Sequence, residues 1–395
     1  MSIQDTPRAE RPHIGLFGRR NAGKSSLINA LTGQETALVS AVPGTTTDPV
    51  LKSFELRGVG PVVFLDTAGL DDEGALGDLR VARTRQAAEK TDLALLVLTD
   101  GLGPERAWLD RFRERGVPVV AVLNKCDERP EGAAAALSEA LGLPVLPVSA
   151  RTGAGIDGLR QALARAIPDD FWDLSITGDL ARAGDTVLLV MPQDIQAPKG
   201  RLILPQVQTL RELLDKRCAV MSCTADALDG TLAALAKAPD LIVTDSQVFP
   251  LVWEKKPPES RLTSFSILFA GHKGDIRAFL DGAAAIDRLT EGSKVLIAES
   301  CAHAPTQEDI GRVKIPRLLR AKVGAGLSFD FVRGNDWPED LSGYDLIVHC
   351  GACMSTRRHV LGRIAQAQAA GVAICNYGVV LAKLAGILDK VCTTA

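Results

Sequence analysis

Three cysteines and two histidines toward the C-terminal end have the types and spacing of metal ligands. Cys301 and His303 form a Cys-x-His pair, and His349, Cys350 and Cys353 form a His-Cys-x-x-Cys segment that begins 46 residues after His303. Two small residues between Cys350 and Cys353 let the backbone turn tightly, so both sulfurs can reach one metal centre. An isolated Cys-x-x-Cys can also consist of packing residues, but the additional Cys301 and His303 favour a metal site.

The identity of the metal stays open at this point. Three thiolates and an imidazole suit a structural zinc site as well as an iron-sulfur site, so the spacing does not separate the two. If three thiolates hold a 4Fe-4S cluster, one iron is left for His303, His349, another side chain or an exogenous ligand. Such an open iron implies chemistry or exchange of a bound group.

A second chemical motif lies near the N-terminus, where residues 18–25 read GRRNAGKS. The apolar run Ile14 to Phe17 predicts a strand before it, and Ser26 to Leu31 predict a helix after it, which is the setting of a phosphate-binding loop. Glycines let backbone N–H groups surround the β-phosphate, Lys24 brings a charge to the β- and γ-oxygens, and Ser25 offers a hydroxyl to Mg²⁺. The expected nucleotide-binding residues of this loop are Gly18, Asn21, Ala22, Gly23, Lys24, Ser25 and Ser26.

Two groups for the metal and the γ-phosphate follow another predicted strand, Val62 to Leu65. There the sequence reads Asp66-Thr67-Ala68-Gly69. The Asp66 carboxylate can hold Mg²⁺ through a water molecule, and the Gly69 N–H can donate a hydrogen bond to the γ-phosphate.

The residues expected to recognise the base follow two later predicted strands. Asn124 and Lys125 precede Asp127 in an NKCD segment, and Ser149 and Ala150 come after the next strand. A carboxylate such as that of Asp127 can accept hydrogen bonds from both guanine N1–H and the exocyclic amine. Adenine does not offer this pair of donors. The sequence therefore predicts GTP as the nucleotide.

These motifs, in this order over roughly the first 165 residues, resemble the translation-factor-related GTPases. The resemblance implies that Gly44 to Asp48 are switch I and that Thr46 closes on Mg²⁺ and the γ-phosphate. The alternative is that Thr45 to Thr47 are a polar loop without a metal role. The expected catalytic residues are Lys24, Thr46, Asp66 and Gly69.

Leu70 and Asn21 bear on the rate of hydrolysis. Leu70 stands where Ras-like enzymes place the glutamine that orients the attacking water, so we expect slow intrinsic turnover. Asn21, together with the Gly-Thr-Thr switch, resembles the potassium-stimulated GTPases, in which a monovalent cation replaces an arginine finger. Asn21 would then be a K⁺ ligand; the alternative is a loop asparagine that caps local backbone N–H groups.

Composition limits the classes of function. A formal net charge of -3 and a pI near 6.0 argue against a nucleic-acid binder with a broad cationic surface. The eight cysteines are spread along the chain and predict reduced cytosolic thiols instead of a disulfide framework. No segment approaches 18 uninterrupted apolar residues, and the polar N-terminus predicts no signal peptide. We therefore expect a cytoplasmic protein without nucleic-acid or membrane partners.

Short β-branched runs alternate with longer Ala- and Leu-rich stretches, which predicts an α/β fold of βαβ units with parallel sheets. The chain divides into three blocks: a P-loop GTPase domain with a mixed, mostly parallel sheet (1–168), a central domain (169–270) and a C-terminal domain (271–395). In the last block, Cys301 follows the predicted strand Val295 to Glu299, and Cys350 follows Leu346 to His349. Both cysteines should therefore lie at the carboxyl edge of a parallel sheet, where ligands usually bind.

With the GTPase motifs and the cysteine pattern joined in one chain, the sequence resembles the HydF family, the GTPases that mature FeFe-hydrogenase. The resemblance extends over essentially the whole chain and includes Pro192-Gln193-Asp194 and Asn376-Tyr377-Gly378. It implies a central dimerisation domain and a 4Fe-4S cluster held by three residues, Cys301, Cys350 and Cys353. His303 and His349 occupy the histidine positions of the motif and remain candidates for the fourth ligand or for places near it.

The family's activity implies the remaining expectations. Such proteins hold a diiron unit with carbonyl, cyanide and dithiolate ligands, receive it from radical-SAM maturation enzymes and deliver it to the FeFe-hydrogenase apoprotein. GTP hydrolysis would act as a switch, and the chain would form a homodimer, with higher oligomers open. Two other functions remain: a GTPase of RNA modification or ribosome assembly with a structural zinc domain, and an iron-sulfur redox enzyme regulated by GTP.

Overall fold

In this computed structural model, the described residues are 7–33, 50–56, 59–69, 75–99, 101–168, 171, 174–192, 202–300, 309–334, 336–353 and 355–394. Several of the residues singled out above lie outside them: the expected switch at 44–48, which includes Thr46, and Leu70, Gln193, Asp194, Cys301 and His303. The chain separates into two compact units, Met1–Asp173 and Leu174–Ala395. The boundary expected near residue 270 falls inside the second unit, and the three-domain division stays a prediction.

The first unit is built on a six-stranded sheet of order β2-β3-β1-β4-β5-β6, in which only the β2–β3 pair is antiparallel. All five residues of β1 and all six of β4 are buried, as expected of strands covered on both faces. The strands are β1 (His13–Phe17), β2 (Val50–Leu56), β3 (Gly60–Asp66), β4 (Leu93–Leu98), β5 (Val119–Leu123) and β6 (Val145–Pro147). The helices are α1 (Lys24–Thr32), α2 (Ala75–Glu89), α3 (Pro104–Glu114), α4 (Ala133–Leu141) and α5 (Ile156–Ala166).

The second unit contains two four-stranded sheets, both parallel throughout. The central sheet consists of β7 (Thr186–Val190), β8 (Ala219–Cys223), β9 (Leu241–Thr244) and β10 (Arg261–Ser264). Its helices are α6 (Leu204–Asp215), α7 (Leu228–Ala234), α8 (Phe249–Lys255) and α9 (Phe265–Lys273). The C-terminal sheet consists of β11 (Lys294–Glu299), β12 (Ser328–Arg333), β13 (Leu346–His349) and β14 (Ala373–Asn376). Its helices are α10 (Ile276–Ala284), α11 (Ile315–Val323), α12 (Arg357–Ala369) and α13 (Tyr377–Leu384). The predicted fold class, a P-loop GTPase followed by parallel α/β sheets, is confirmed.

The central and C-terminal sheets repeat one topology. Their strand orders are β10-β9-β7-β8 and, read from the other end, β14-β13-β11-β12. The register also repeats, because Val187 faces Leu241 in the central sheet and Val295 faces Leu346 in the C-terminal sheet. The sequence DLIV occurs at 240–243 and again at 345–348, at the start of β9 and of β13.

The two sheets also share a hydrogen bond at that point. The Thr186 N–H donates to Asp240 Oδ2 over 2.7 Å, and the Lys294 N–H donates to Asp345 Oδ2 over 2.8 Å. One hydrophobic core contains residues from both sheets, among them Ile242 of β9 and Ile347 of β13. The repeated sheets are therefore packed into one unit.

Helices α9 and α13, which follow the last strand of each sheet, approach each other closely. A Cβ placed on Gly378 of α13 would lie 2.4 Å from Ser266 Cβ of α9, so only glycine fits there. Each helix begins with a side-chain cap: Ser264 Oγ accepts from the Ile267 N–H, and Asn376 Oδ1 accepts from the Val379 N–H. None of the described helices is long and apolar enough to cross a membrane.

Candidate functional site

The phosphate-binding loop runs from the end of β1 to the first residue of α1. Gly23 has a φ of 83°, and a Cβ at this position would lie 2.4 Å from Asn124 Nδ2, so the turn requires glycine. Asn124 Nδ2 donates to the Ala22 carbonyl over 2.8 Å, and Asn124 Oδ1 accepts from the Ala150 N–H over 3.2 Å. Asn124 thus ties the phosphate loop to the segment that carries Ser149 and Ala150.

The predicted magnesium residues meet beside this loop. Ser25 Oγ donates to Asp66 Oδ2 over 2.6 Å, and Asp66 Oδ1 is buried without a hydrogen-bond partner among the described residues. Burial raises the pKa of Asp66, while the hydrogen bond from Ser25 and the charges of Lys24 and Lys52 oppose that rise. A hydroxyl and a carboxylate with an oxygen left to accept are ligands that Mg²⁺ prefers, so the residues present fit this ion.

Lys24 and Gly69 frame the same place. Lys24 is buried, and its Nζ donates to the carbonyls of Gly18 and Arg19 over 2.8 and 2.9 Å. A Cβ placed on Gly69 would lie 2.8 Å from the Arg20 amide nitrogen, so the segment after β3 passes directly over the phosphate loop. The structure therefore brings together Lys24, Asp66 and Gly69, three of the four expected catalytic residues.

The base-binding side is a cavity of about 530 Å³. Hydrogen bonds from Ser149 and Arg151 lower the pKa of Asp127, which keeps its carboxylate ionised and able to accept from guanine. Arg151 Nη2 also forms an ion pair with Asp127. The lining residues include Gly23, Ser26, Asn124, Lys125, Asp127 and Ala150.

The sequence did not single out two residues that hold this site in place. Arg151 follows Ala150 directly, which is the signal that could have drawn attention to it. Glu105, which is 1% exposed, pairs with Arg19 over 3.0 Å and accepts from the Gly103 N–H over 3.0 Å. Glu105 lies 86 residues from Arg19 in sequence, so no local pattern indicated the pair. Asn21, the expected K⁺ ligand, is exposed and has a φ of 60°.

The candidate metal site lies at the carboxyl edge of the C-terminal sheet. The chain leaves β11 toward β12 on one side and later forms β13 on the other side, so β11 and β13 flank the topological switch point of the sheet. Ligands of open α/β sheets bind in the crevice at this point. Ser300, the residue before Cys301, follows β11, and Cys350 follows β13.

Cys350 and Cys353 both carry reduced thiols, the first buried and the second half-buried. Ala352 between them has a φ of 51°, which turns the backbone as the tight spacing predicted. The Ser300 N–H donates to Cys350 Sγ over 3.1 Å, so the residue adjoining Cys301 reaches the sulfur of Cys350. No group of three metal-ligating side chains lies within the described residues, which leave out Cys301 and His303. The thiols present suit zinc and an iron-sulfur cluster equally.

His349 lies beneath Cys350 and is fully buried. Its Nδ1 is 2.8 Å from the Cys350 carbonyl oxygen, and its Nε2 is 2.9 Å from Arg363 Nη1 and 3.2 Å from Ser300 Oγ. Arg363 of α12 was not among the predicted site residues. A lone arginine inside a helix gives no sequence signal of such a contact.

Three parts of the chain match known protein families. Residues 13–125 match the family described as 50S ribosome-binding GTPase. Residues 176–274 match the hydrogen maturase F dimerization domain, and residues 277–394 match the hydrogen maturase F tetramerization domain. The two maturase families together span more than half of the chain.

Two relatives of known function match the GTPase part of the chain. The tRNA modification GTPase MnmE of Symbiobacterium thermophilum is 44% identical over 155 residues, which are 38% of this chain and 34% of that protein. The MnmE of Laribacter hongkongensis is 43% identical over 162 residues, which are 40% of this chain and 35% of that protein. The chain thus spans about a third of the length of these relatives.

The chain is also similar to solved structures of GTPases, among them those of an Era and an NFeoB protein. A single-residue variant of Aquifex aeolicus Era bound to GDP·AlF4⁻ is 20% identical and covers 61% of this chain and 97% of its own, with a TM-score of 0.37. A single-residue variant of S. thermophilus NFeoB bound to GDP·AlF4⁻ is 25% identical and covers 43% of this chain and 73% of its own, with a TM-score of 0.33.

The phosphate loop, the guanine-binding residues and the GTPase family together establish a GTP hydrolase that binds GTP or GDP with Mg²⁺. The two maturase families add domains of self-association. On this combination, the chain belongs to the hydrogen maturase F family, the GTPases of hydrogenase maturation.

Proposed function

We propose that this chain is an iron-sulfur scaffold whose 4Fe-4S cluster is held by Cys301, Cys350 and Cys353. The observation that carries the proposal is the placement of Cys350 and Cys353 at the switch point of the C-terminal sheet, beside Ser300. Parallel sheets bind ligands at this edge, and the residue after Ser300 is the third cysteine. The family's role in hydrogenase maturation favours a cluster over structural zinc.

The iron that no cysteine binds gives the cluster its role in this proposal. Three thiolates leave one iron with an exchangeable ligand, and His303 and His349 are the candidates proposed near it. Such an iron can anchor a cyanide-bearing diiron unit weakly enough for later release. In this proposal the cargo comes from radical-SAM maturation enzymes and passes to the FeFe-hydrogenase apoprotein.

The GTPase unit acts as a switch in this proposal. Ser25, Thr46 and Asp66 bind Mg²⁺, Lys24 and Gly69 stabilise the γ-phosphate, and the base is bound by Asn124, Lys125, Asp127, Ser149 and Ala150. Asn21 holds K⁺ against the phosphates, and the leucine at position 70 makes turnover slow without it. The proposal is supported by the Ser25–Asp66 contact and by the Asp66 oxygen that has no partner among the described residues.

The dimer is proposed to form through the central domain, residues 169–270, with residues 271–395 as the cluster-binding domain. The maturase dimerization family matches residues 176–274, most of which lie in the first of these ranges, and the tetramerization family matches within the second. We propose a cytoplasmic homodimer in which higher assembly uses the C-terminal domain.

Activation of apo-hydrogenase by the anaerobically prepared chain tests the proposed function. The protein is first assayed for iron and sulfide and examined by electron paramagnetic resonance (EPR), then incubated with the radical-SAM partners and finally mixed with apo-hydrogenase. We expect about four irons per chain, a 4Fe-4S spectrum and hydrogen evolution. A cluster-loaded chain that cannot activate hydrogenase would contradict the scaffold role, and zinc in place of iron would contradict the cluster.

Replacement of Cys301 gives the matched control. The Cys301→Ala variant is expected to lose the cluster while its GTP turnover persists, because the phosphate loop lies in the other compact unit. Iron content at the wild-type level in this variant would show that Cys301 is not a ligand.

A further inference from the structure

Arg363 contacts residues at the ends of three strands at the carboxyl edge of the C-terminal sheet. From α12 its Nη1 lies 2.9 Å from His349 Nε2 and donates to Ser300 Oγ over 3.3 Å, while its Nη2 donates to the Gly334 carbonyl over 2.5 Å. These three residues follow or end β11, β12 and β13. The guanidinium is 4.6 Å from the centre of the Trp337 ring, and Arg363 is only 3% exposed.

The contact with Arg363 determines which ring nitrogen of His349 carries the proton. A guanidinium can only donate, so His349 Nε2 must accept. The ring then carries its proton on Nδ1, which donates to the Cys350 carbonyl over 2.8 Å. Both ring nitrogens of the fully buried His349 are therefore used within the protein, and binding iron would break one of these bonds.

Ser300 connects the hydrogen bonds of Arg363 and His349 to the sulfur of Cys350. Its hydroxyl contacts both Arg363 Nη1 and His349 Nε2, and its backbone N–H donates to Cys350 Sγ over 3.1 Å. Hydrogen bonds to cluster sulfurs and positive charge near them stabilise the more negative, reduced cluster and raise its reduction potential.

We propose that Arg363 is a positioning residue of the cluster site, which acts through Ser300 and His349 on Cys350. Arg363 fixes the Ser300 N–H toward the Cys350 sulfur and brings a buried positive charge to the anionic cluster. His349 supports the Cys350 backbone instead of ligating iron. This inference rests on the proposed cluster and goes beyond it by assigning Arg363 and His349 their parts.

Substitution of Arg363 tests the inference in the full-length chain loaded with a cluster under anaerobic conditions. Arg363→Gln removes the charge and the paired donors, and Arg363→Lys keeps the charge but not the planar fork. We expect Arg363→Gln to lower the midpoint potential in an EPR-monitored redox titration and to lose iron faster to a chelator. Arg363→Lys should lie between it and the wild type.

Arg320→Gln is the matched control, because Arg320 also stacks on an aromatic ring and donates to a backbone carbonyl. Its guanidinium is 4.9 Å from the Phe329 ring centre, and its Nε donates to the Leu327 carbonyl over 3.2 Å. It lies on α11 and is exposed. The potential and the rate of iron loss should match the wild type in this variant.

His349→Gln keeps the inference testable if the arginine variants do not fold. Glutamine can still accept from Arg363 but has no imidazole, so pulsed EPR of the reduced cluster separates support from ligation. We expect the spectrum of nitrogens bonded to iron to be the same in His349→Gln as in the wild type. Disappearance of such a nitrogen signal in His349→Gln would overturn the inference.

Two other results distinguish the inference from the proposed function. If the wild type holds a cluster, and the Arg363→Gln variant has the same midpoint potential and the same rate of iron loss, the inference is overturned but the proposed function is not. A wild-type chain that holds no iron would overturn the proposed function and the inference with it.

Discussion

The central and C-terminal sheets share strand order, register and an aspartate that precedes the third strand and accepts from the first N–H of the first strand. Among the described residues, however, a Cys-x-x-Cys pair follows a strand in the C-terminal sheet alone. By register, Thr244 at the end of β9 corresponds to His349 at the end of β13. The next residue is Asp245 in the central sheet and Cys350 in the C-terminal sheet. The Asp245 N–H and the Cys350 N–H donate to the equivalent carbonyls of Val190 and Ala298.

The two edges differ most in what surrounds this residue. Pro192 occupies the place of Ser300, two residues beyond Val190 and Ala298 respectively, and proline has no N–H to donate. Thr244 satisfies its hydroxyl on the Val190 and Asp245 carbonyls, whereas His349 receives a hydrogen bond from Arg363. The same sheet topology therefore carries different residues at its carboxyl edge in the two cases. The candidate metal site depends on the residues that follow the strands and on the side chains that contact them, not on the sheet itself.

Substitution of Cys350 and of the corresponding residue Asp245 should give the largest difference in iron content. Cys350→Ala removes one of the proposed thiolates and is expected to abolish stable cluster binding, while Asp245→Ala leaves iron content unchanged. Iron and sulfide per chain, measured after anaerobic loading, check both variants. Equal iron loss in the two variants would mean that the central sheet also contributes to the cluster, and the comparison would fail.

The sheet of the first unit offers a second comparison, because its proposed metal is Mg²⁺ and its proposed ligand group is the Asp66 carboxylate. Asp66→Asn is expected to weaken Mg²⁺ binding about 10–100-fold, because the carboxylate holds the ion through water. Burial raises the pKa of Asp66, so Mg²⁺ affinity should fall as pH falls through that raised pKa, at a pH above the ordinary carboxyl value of 3.8. Mg²⁺ titration of GTP binding at several pH values measures this; an Asn variant with the wild-type pH dependence would contradict the assignment.

The same raised pKa has a consequence for stability. The folded state holds the Asp66 proton more tightly than the unfolded chain does, so its contribution is present below pH 3.8 and is lost as pH rises through the raised value. Bound Mg²⁺ should offset the loss at neutral pH.

Removal of the two capping aspartates tests whether the sheets are equivalent in energy as well as in geometry. Asp240→Ala and Asp345→Ala should each destabilise the second unit by about 0.5–1 kcal/mol, since each deletes a partly exposed hydrogen bond to a strand N–H. Asp240→Ala also deletes an exposed ion pair with Lys237, which contributes little to stability. Denaturant unfolding measures both. Losses that differ by more than about 1 kcal/mol would show that the two caps are not equivalent.

Asp240 also predicts a pH dependence. The hydrogen bond from the Thr186 N–H lowers the pKa of Asp240, and Lys237 lowers it further. The stabilisation is therefore present above pH 3.8 and is lost as pH falls through the lowered value. The destabilisation caused by Asp240→Ala should disappear in strong acid.

Replacement of Pro192 should have the smallest effect. Pro192→Ala restores an N–H at the position of Ser300, but the residue that corresponds to Cys350 is Asp245, which offers no sulfur. We expect a stability change within about 0.5 kcal/mol and no gain of iron. Thermal unfolding and iron analysis check both points, and iron bound at the central edge would refute the distinction between the sheets.

Features set by local sequence were predicted well. The strand Leu346–His349 was predicted with its observed bounds, because a continuous apolar run marks a strand buried on both faces. The phosphate loop was predicted from one segment, since its glycines and lysine act within a few residues of one another.

Features that depend on distant contacts were missed. The strand Arg261–Ser264 is short and has one apolar residue in four, and its pairing with β9 alone identifies it. The duplication of the two sheets left only the repeated DLIV as a sequence signal. Arg363 and Glu105 were missed because their partners are brought to them by tertiary packing.

Anomalous diffraction at the iron edge, from crystals of the anaerobically loaded protein, tests the central claim most directly. The account predicts one iron-sulfur cluster per chain, bonded to Cys301, Cys350 and Cys353, with no iron beside Asp245. A zinc signal at these cysteines, or iron at another place in the chain, would contradict it.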